Sequence, residues 1–210
     1  MDELKIISRK SVLARLQALE VSDVIKDKYP DIRIKFITKE TKGDLDLNTP
    51  LHKMPEMGVF TSDIREELIS GKADIAVHSW KDLPVELEEG TEVTATIKRA
   101  DLRDVLIFKK SSLNKKKINI YTSSPRRKEN LSKFLQKAFP FEIDSCNFHD
   151  IRGNILTRIK KLKDSDKDGV VIAKAAIDRL LSNRLEDKEL IAFQNDLEVF
   201  SWMVIPASQN

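Results

Sequence analysis

Short strand-like segments alternate with amphipathic helical segments along most of the chain, and this order limits the fold to the α/β class. The first block predicts strands at residues 4–8, 32–38 and 73–78 and helices at 11–29 and 61–70. The second block predicts strands at 118–121, 141–146 and 170–173 and helices at 124–138, 152–162 and 175–181. Two blocks of similar size predict two lobes with a cleft between them.

The blocks meet at a charged turn, residues 99–104, which lies between strand-like segments at 91–98 and 105–109. We therefore place domain 1 at 1–98 and domain 2 at 99–196. The final apolar stretch, residues 197–205, is strand-like, and we expect about 197–210 to return to domain 1.

Composition narrows the function classes. The 210 residues carry a formal net charge of only +3, which does not indicate a nucleic-acid partner. No apolar stretch reaches membrane-spanning length, and the first residues lack the pattern of a secretory signal. The single cysteine, Cys146, rules out an internal disulfide, and no set of residues has metal-ligand spacing. We expect a cytoplasmic protein that binds no membrane, nucleic acid or metal.

Three strand-to-helix junctions carry arginine together with a hydroxyl group or glycine. Their polar residues are Arg9 and Ser11, then Ser124, Arg126 and Arg127, then Arg152 and Gly153 with Arg158 further along. Arginine near a helix N-terminus opposes the macrodipole, so an anion should offset it. The pattern predicts a ligand with several phosphates or carboxylates. A solvated turn or a surface arginine pair is the alternative at each junction taken alone.

The run at residues 78–86 follows an apolar strand and places Lys81 and Asp82 side by side where the strand stops. Strand ends in α/β folds are where ligands meet the chain. A carboxylate at such a position can stabilise a cationic intermediate. His78 is expected to be a structural hydrogen-bonding group, and residues 39–58 predict a long loop of the kind that often carries function.

The motifs together resemble the porphobilinogen deaminase (hydroxymethylbilane synthase) family of tetrapyrrole biosynthesis. The matching runs, in order, lie at residues 8–17, 41–44, 58–61, 73–86, 99–104, 122–127, 152–158 and 206–207. The resemblance implies two lobes like those of type II periplasmic binding proteins, with the active site in the cleft. It implies a transferase that joins porphobilinogen head to tail into hydroxymethylbilane with loss of ammonia.

The resemblance also implies roles for individual residues and a dipyrromethane cofactor. Asp82 matches the catalytic aspartate. The residues that match holders of the cofactor's carboxylates are Lys81, Ser124, Arg126 and Arg127. Those that match binders of the incoming substrate are Arg9, Ser11, Arg152, Arg158 and Phe60, the last as an aromatic near the pyrroles.

The chain departs from the family pattern in ways that bear on activity. The family attaches its cofactor to a cysteine in a third domain beyond residue 210, and Cys146 does not match it. Residues 54–57 and 206–210 also depart from the family's motifs. We expect a form without the third domain, impaired in turnover, and monomeric or completed by a third domain supplied separately. The alternative is a two-lobed module that binds an anionic small molecule without catalysis, and Asp82 distinguishes the two.

Overall fold

The computed structural model of the chain describes residues 3–45, 60–86, 89–182 and 184–209. The chain divides into two compact units, Met1–Lys98 and Arg99–Asn210. Each unit combines helices with a β-sheet, which confirms the predicted α/β class. Among the described residues, no helix combines the length and apolar character that a membrane crossing requires.

The first unit is a three-stranded parallel sheet in the order β2-β1-β3. Its elements are β1 (Glu3–Arg9), α1 (Val12–Lys28), β2 (Arg33–Lys39), α2 (Lys42–Leu45), α3 (Ser62–Ile69) and β3 (Ile75–Ala76). The central strand β1 is buried on both faces, as parallel strands usually are. Ile6 packs with Ala18 of α1, whereas the next residue, Ile7, packs with Ile64 of α3. The two helices therefore cover opposite faces of the sheet, and β1 ends at Arg9.

The structure differs from two predictions in this unit. β3 spans two residues where 73–78 was predicted, and a 3-10 turn, Trp80–Asp82, follows it. Residues 91–98 form no strand and are mostly exposed. Alternation identifies which side chains share a face, but it does not supply a neighbouring strand to pair with. Most of the predicted loop at 39–58 lies outside the described residues, and its first part contains α2.

The second unit is a five-stranded mixed sheet in the order β6-β5-β7-β4-β8. Its strands are β4 (Asp104–Lys109), β5 (Lys117–Tyr121), β6 (Ser145–His149), β7 (Gly169–Ala173) and β8 (Phe200–Val204). Its helices are α4 (Pro125–Ala138), α5 (Ile155–Asp164), α6 (Lys174–Leu180) and α7 (Lys188–Leu197). The core joins β4, β5 and α4 through buried side chains, among them Leu106, Ile118, Ile120, Leu131 and Leu135.

The end of the chain lies in the second unit, not in the first as expected for residues 197–210. β8 pairs antiparallel with β4, and the Ile205 amide donates to the Asp104 carbonyl at 2.8 Å. Ile205 is fully buried in the same cluster as Leu106. Burial of this apolar side chain on the second sheet explains the difference. Helix α7, which precedes β8, was not predicted.

Candidate functional site

The ten predicted site residues divide equally between the two units. The first unit holds Arg9, Ser11, Phe60, Lys81 and Asp82, and the second holds Ser124, Arg126, Arg127, Arg152 and Arg158. Among the described residues, no group of three or more His, Cys, Asp or Glu side chains is arranged to hold a metal ion.

Asp82 lies in the 3-10 turn after β3, and helix α1 anchors this turn. The Asp82 amide donates to the Ser79 carbonyl at 2.9 Å. The Ser79 hydroxyl pairs with the Gln17 side-chain amide, at 2.9 Å from its nitrogen and 3.1 Å from its oxygen. The Asp82 side chain remains 24% exposed. A fixed turn with a partly open carboxylate suits a group that must face a ligand in one orientation.

Arg9, the last residue of β1, lies between two carboxylates and an aromatic ring. Its Nε and Nη2 atoms both donate to Asp44 of α2, the former at 3.2 Å. Its Nη1 atom lies 3.8 Å from Oδ2 of Asp82. The guanidinium carbon stacks 4.1 Å from the centroid of the Phe60 ring. The strand end thus brings the predicted Arg9, Phe60 and Asp82 together, with Asp44 as an unpredicted fourth member.

Asp44 is held as firmly as the arginine it binds. Its Oδ2 accepts from the Thr41 hydroxyl at 2.8 Å and from the Thr41 amide at 3.1 Å. Burial would raise the pKa of Asp44, but hydrogen bonds from Arg9 and Thr41 outweigh it and lower that pKa below its ordinary value. Asp44 is therefore a fixed negative charge against one edge of Arg9.

Gly43 allows the Phe60 ring to reach its place beside Arg9. A Cβ atom on Gly43 would lie 2.6 Å from Cδ1 and 2.7 Å from Cζ of Phe60, so the ring would have to move. We expect Gly43→Ala to break the stack on Arg9 and to destabilise the first unit by about 1–3 kcal/mol, the usual result of overpacking. Urea unfolding followed by Trp80 fluorescence in a Trp202→Phe background measures this. Gly90→Ala cannot serve as the control, because the positive φ of Gly90, 89°, would strain an alanine at that position. Ala95→Gly is the control instead, and an equal loss of stability in that variant would contradict the steric explanation.

Ser11 and Lys81 occupy different settings in the first unit. The Ser11 hydroxyl caps α1 by accepting from the Ala14 amide at 3.4 Å. Lys81 is exposed and makes no ion pair with any described residue. Burial lowers the pKa of His78; Asp82 opposes this shift and Arg9 adds to it. Among the predicted site residues of this unit, Lys81 is therefore the cation that is open to an anionic ligand.

Arg127 in the second unit binds a buried carboxylate of the protein itself. Its Nε and Nη2 atoms lie 2.8 and 2.6 Å from the two oxygens of Asp104, and its Nη1 donates to the Val171 carbonyl at 3.2 Å. The predicted anion beside the two arginines of α4 is thus supplied, in part, by Asp104. The predicted role of Arg127 as a holder of cofactor carboxylates stays a prediction, and in this structure its side chain is bound to Asp104.

Arg126 and Ser124 lie beside this pair at the start of α4. Arg126 is 53% exposed and 3.5 Å from Asp104 Oδ2, a longer contact than that of Arg127. The Ser124 hydroxyl caps α4 by accepting from the Arg127 amide at 3.4 Å. Arg126 is thus the arginine of this pair that can turn toward an external anion.

Arg158 shows that this part of the second unit carries surplus positive charge. Burial lowers the pKa of Arg158, and the positive charges of Arg127 and Arg152 lower it further. Its Nε donates to the Gly153 carbonyl at 2.8 Å, which fixes the side chain in place. A bound carboxylate or phosphate would relieve the repulsion among these arginines.

Helix α5 begins three residues later than predicted. Gly153 has a left-handed φ of 110°, and Asn154 caps the helix by accepting from the Thr157 amide at 2.9 Å. The left-handed turn leaves Arg152 before the helix and not within it. The aspartates that bind the arginines, Asp44 and Asp104, were also not predicted. The only sequence signal for Asp104 as such a partner was its position in the charged turn at 99–104.

Cys146 is half-buried on β6 and is expected to be unreactive. Burial, with a smaller contribution from Asp168, raises the pKa of Cys146 to about 12. We expect iodoacetamide at pH 8 to alkylate it at least about a hundredfold more slowly than in the urea-unfolded chain, because the thiolate is the nucleophile. Mass spectrometry of timed samples measures both rates. Equal rates, or a native pyrrole adduct on Cys146, would contradict this expectation.

Comparison with known proteins gives a consistent family. Residues 4–208 match the family described as "Porphobilinogen deaminase, dipyromethane cofactor binding domain". A porphobilinogen deaminase of Syntrophomonas wolfei is 39% identical over 86% of this chain and 57% of its own length. One of Chlorobium phaeobacteroides is 41% identical over 85% and 55%, and a probable one of Picrophilus torridus is 39% identical over 86% and 61%. The chain thus spans somewhat over half the length of these relatives.

Solved structures give only a distant likeness. The probable amino-acid ABC transporter extracellular-binding protein ytmK of Bacillus subtilis is 13% identical, with a TM-score of 0.41 over 97% of this chain and 78% of that one. A structure from work on glutathione import through GshT of Streptococcus mutans is 10% identical, with a TM-score of 0.40 over 100% and 79%.

Proposed function

Because the chain belongs to the porphobilinogen deaminase family, we propose that it contributes the chemistry by which porphobilinogen is joined head to tail into hydroxymethylbilane. In each step the aminomethyl C–N bond breaks and ammonia leaves. The resulting cationic methylene carbon then bonds to a pyrrole carbon of the next unit, which loses its proton. The catalyst must bind several carboxylates and stabilise one transient positive charge.

The observation that carries this proposal is Asp82, a carboxylate held in a fixed turn in a unit whose other charged site residues are the cations Arg9 and Lys81. A pure anion receptor gains nothing from a carboxylate there, because it would repel the ligand. A catalyst that forms a cation from a carboxylate-bearing substrate needs both charges. In our proposal Asp82 faces the pyrrole nitrogen and the developing cation, and assists the proton transfers.

We assign the substrate's acetate and propionate groups to Arg9 of the first unit and to Arg152 and Arg158 of the second, and further contacts with the substrate to Ser11 and Phe60 of the first unit. Burial and two neighbouring arginines lower the pKa of Arg158 below its ordinary value, and this supports a carboxylate of the ligand as its partner. Such pairs gain strength from charge and from the planar fork of the guanidinium.

The family's dipyrromethane cofactor fits the remaining cations. Lys81 makes no ion pair with a described residue, and Arg126 is more than half exposed, so both have donors for its carboxylates, with Ser124 alongside. When bound, dipyrromethane supplies the electron-rich pyrrole carbon at which the polymer starts. Arg127 supports this set indirectly, since Asp104 holds it beside Arg126.

A titration calorimetry experiment with porphobilinogen tests the proposal. We expect binding that weakens as salt rises, because carboxylate–arginine pairs are screened, and that is lost with the dimethyl ester of the same compound. Release of ammonia is measured in the same samples. Binding of the ester as tightly as the diacid would overturn the proposal. Tighter binding by Asp82→Ala, with no ammonia released by either protein, would favour the non-catalytic receptor.

A further inference from the structure

The guanidinium of Arg9 is shared unequally between two carboxylates. Its Nε–Nη2 edge is bound by both oxygens of Asp44, whereas its Nη1 end stops 3.8 Å short of Asp82. That distance is too long for a hydrogen bond. Arg9 therefore has a strong partner and a weak one, on different edges of the same group.

The surroundings hold this asymmetry in place. Thr41, which is fully buried, gives two hydrogen bonds to the same Asp44 oxygen that Arg9 Nε reaches. The Phe60 ring covers one face of the guanidinium and lies against Gly43. Rotation of Arg9 toward Asp82 would thus break the pair with Asp44 and the stack on Phe60 together.

We propose that Asp44 is a positioning residue that holds Arg9 away from Asp82 and so keeps the Asp82 carboxylate available to the ligand. Both carboxylates can bind this one guanidinium. The hydrogen bonds from Thr41 to Asp44 and the stacking of Phe60 on Arg9 favour its pairing with Asp44. Without the Asp44 charge, Arg9 turns its free edge onto Asp82 and forms the short, charge-assisted pair that the present structure prevents. Asp82 would then be neutralised by its own neighbour.

The test measures exchange of the Arg9 Nη1 protons with water by NMR, in the chain without substrate. In the parent protein, we expect Asp82→Asn to change this exchange less than about twofold, because Nη1 lies 3.8 Å from Asp82 and makes no hydrogen bond to it. In an Asp44→Asn background, we expect Asp82→Asn to accelerate it about tenfold, because Asp82 has become the partner. A dependence that appears only when Asp44 is neutral is something a merely structural role would not produce.

Two further variants make the result decisive. Glu40→Gln is the matched control: it removes an exposed carboxylate of the same segment, paired with Lys10, and should leave the Arg9 signal unchanged. Thr41→Val keeps the Asp44 charge and a similar volume but removes one hydrogen bond to Asp44. It should produce the same dependence on Asp82 with a smaller size, and it provides the test if Asp44→Asn does not fold.

Two outcomes would overturn the inference. Fast exchange in Asp44→Asn regardless of Asp82 would mean that Arg9 is released to solvent. A tenfold effect of Asp82→Asn already in the parent protein would mean that Asp82 holds Arg9 itself. The statement that a free Asp82 serves the ligand rests on the proposed function, whereas the exchange data do not involve substrate. Absence of turnover would therefore count against that function, whereas the role of Asp44 in holding Arg9 would still be decided by the exchange measurement.

Discussion

Asp104→Asn is expected to lower the free energy of unfolding of the second unit by about 3–5 kcal/mol, the usual cost of breaking a buried ion pair from one side. The Asp104 side chain is only 4% exposed, and both of its oxygens bind Arg127. Removal of its charge leaves Arg127, itself 15% exposed, without a counterion inside the unit. It also intensifies the repulsion that Arg127 already exerts on Arg158.

Fluorescence can isolate this effect, because the chain has two tryptophans, one in each unit. In a Trp80→Phe background, Trp202 on β8 reports urea unfolding of the second unit alone. The matched control is Asp150→Asn, which breaks the pair with Lys128 at 2.7 Å, where the Asp150 side chain is 60% exposed. That change should cost less than about 1 kcal/mol. Equal losses in the two variants would contradict the buried-pair explanation.

The parts of the fold that were predictable are those that depend on local sequence. Ser11 and Ser124 mark the starts of α1 and α4, because a capping hydroxyl needs only amides two or three residues away. Helix α4 could also be recognised from the apolar period that buries Leu131 and Leu135. These signals lie within a few residues of the feature that they predict.

The errors concern partners that are far apart in the sequence. β8 pairs with β4 across about a hundred residues, and no local pattern shows which sheet receives an apolar strand. The carboxylates that bind the arginines are similar: Asp44 is 35 residues from Arg9, and Asp104 is 23 from Arg127. Charge at a helix start correctly indicated that an anion was required. It could not distinguish a ligand's carboxylate from one that the fold itself supplies, so Asp104 was not predicted as a partner of Arg127.

Arg127 also changes what the second unit offers to a ligand. Arg127 cannot turn toward a ligand without giving up its two short hydrogen bonds to the buried Asp104, so we propose that it contributes positive potential and a fixed position to the site. We propose that Arg126, which is exposed, and Arg158, which two other arginines repel, provide the donors to a ligand. The two units are therefore alike: in each, an internal aspartate fixes one arginine beside groups that remain open to anions.

Asp82→Asn is expected to slow ammonia release from porphobilinogen by about 10²–10³-fold, the size seen when one electrostatic stabiliser of a transition state is removed. Asparagine keeps the size and hydrogen-bonding ability of the side chain but not the charge that the developing cation requires. The measurement is a single turnover with the chain in excess over porphobilinogen, followed by ammonia detection, because one C–N cleavage then suffices.

Binding separates this prediction from a general loss of structure. Porphobilinogen affinity should fall less than about threefold in Asp82→Asn, because in our proposal arginines bind the substrate's carboxylates. Loss of an interaction that forms only in the transition state lowers the rate and leaves binding largely unchanged. Asp82→Glu keeps the charge but moves the carboxylate out of the place that the 3-10 turn and Arg9 define, so it should restore only part of the rate. Full activity in Asp82→Asn would show that other groups stabilise the cation. The 3.8 Å contact between Asp82 and Arg9 would then have only a structural role.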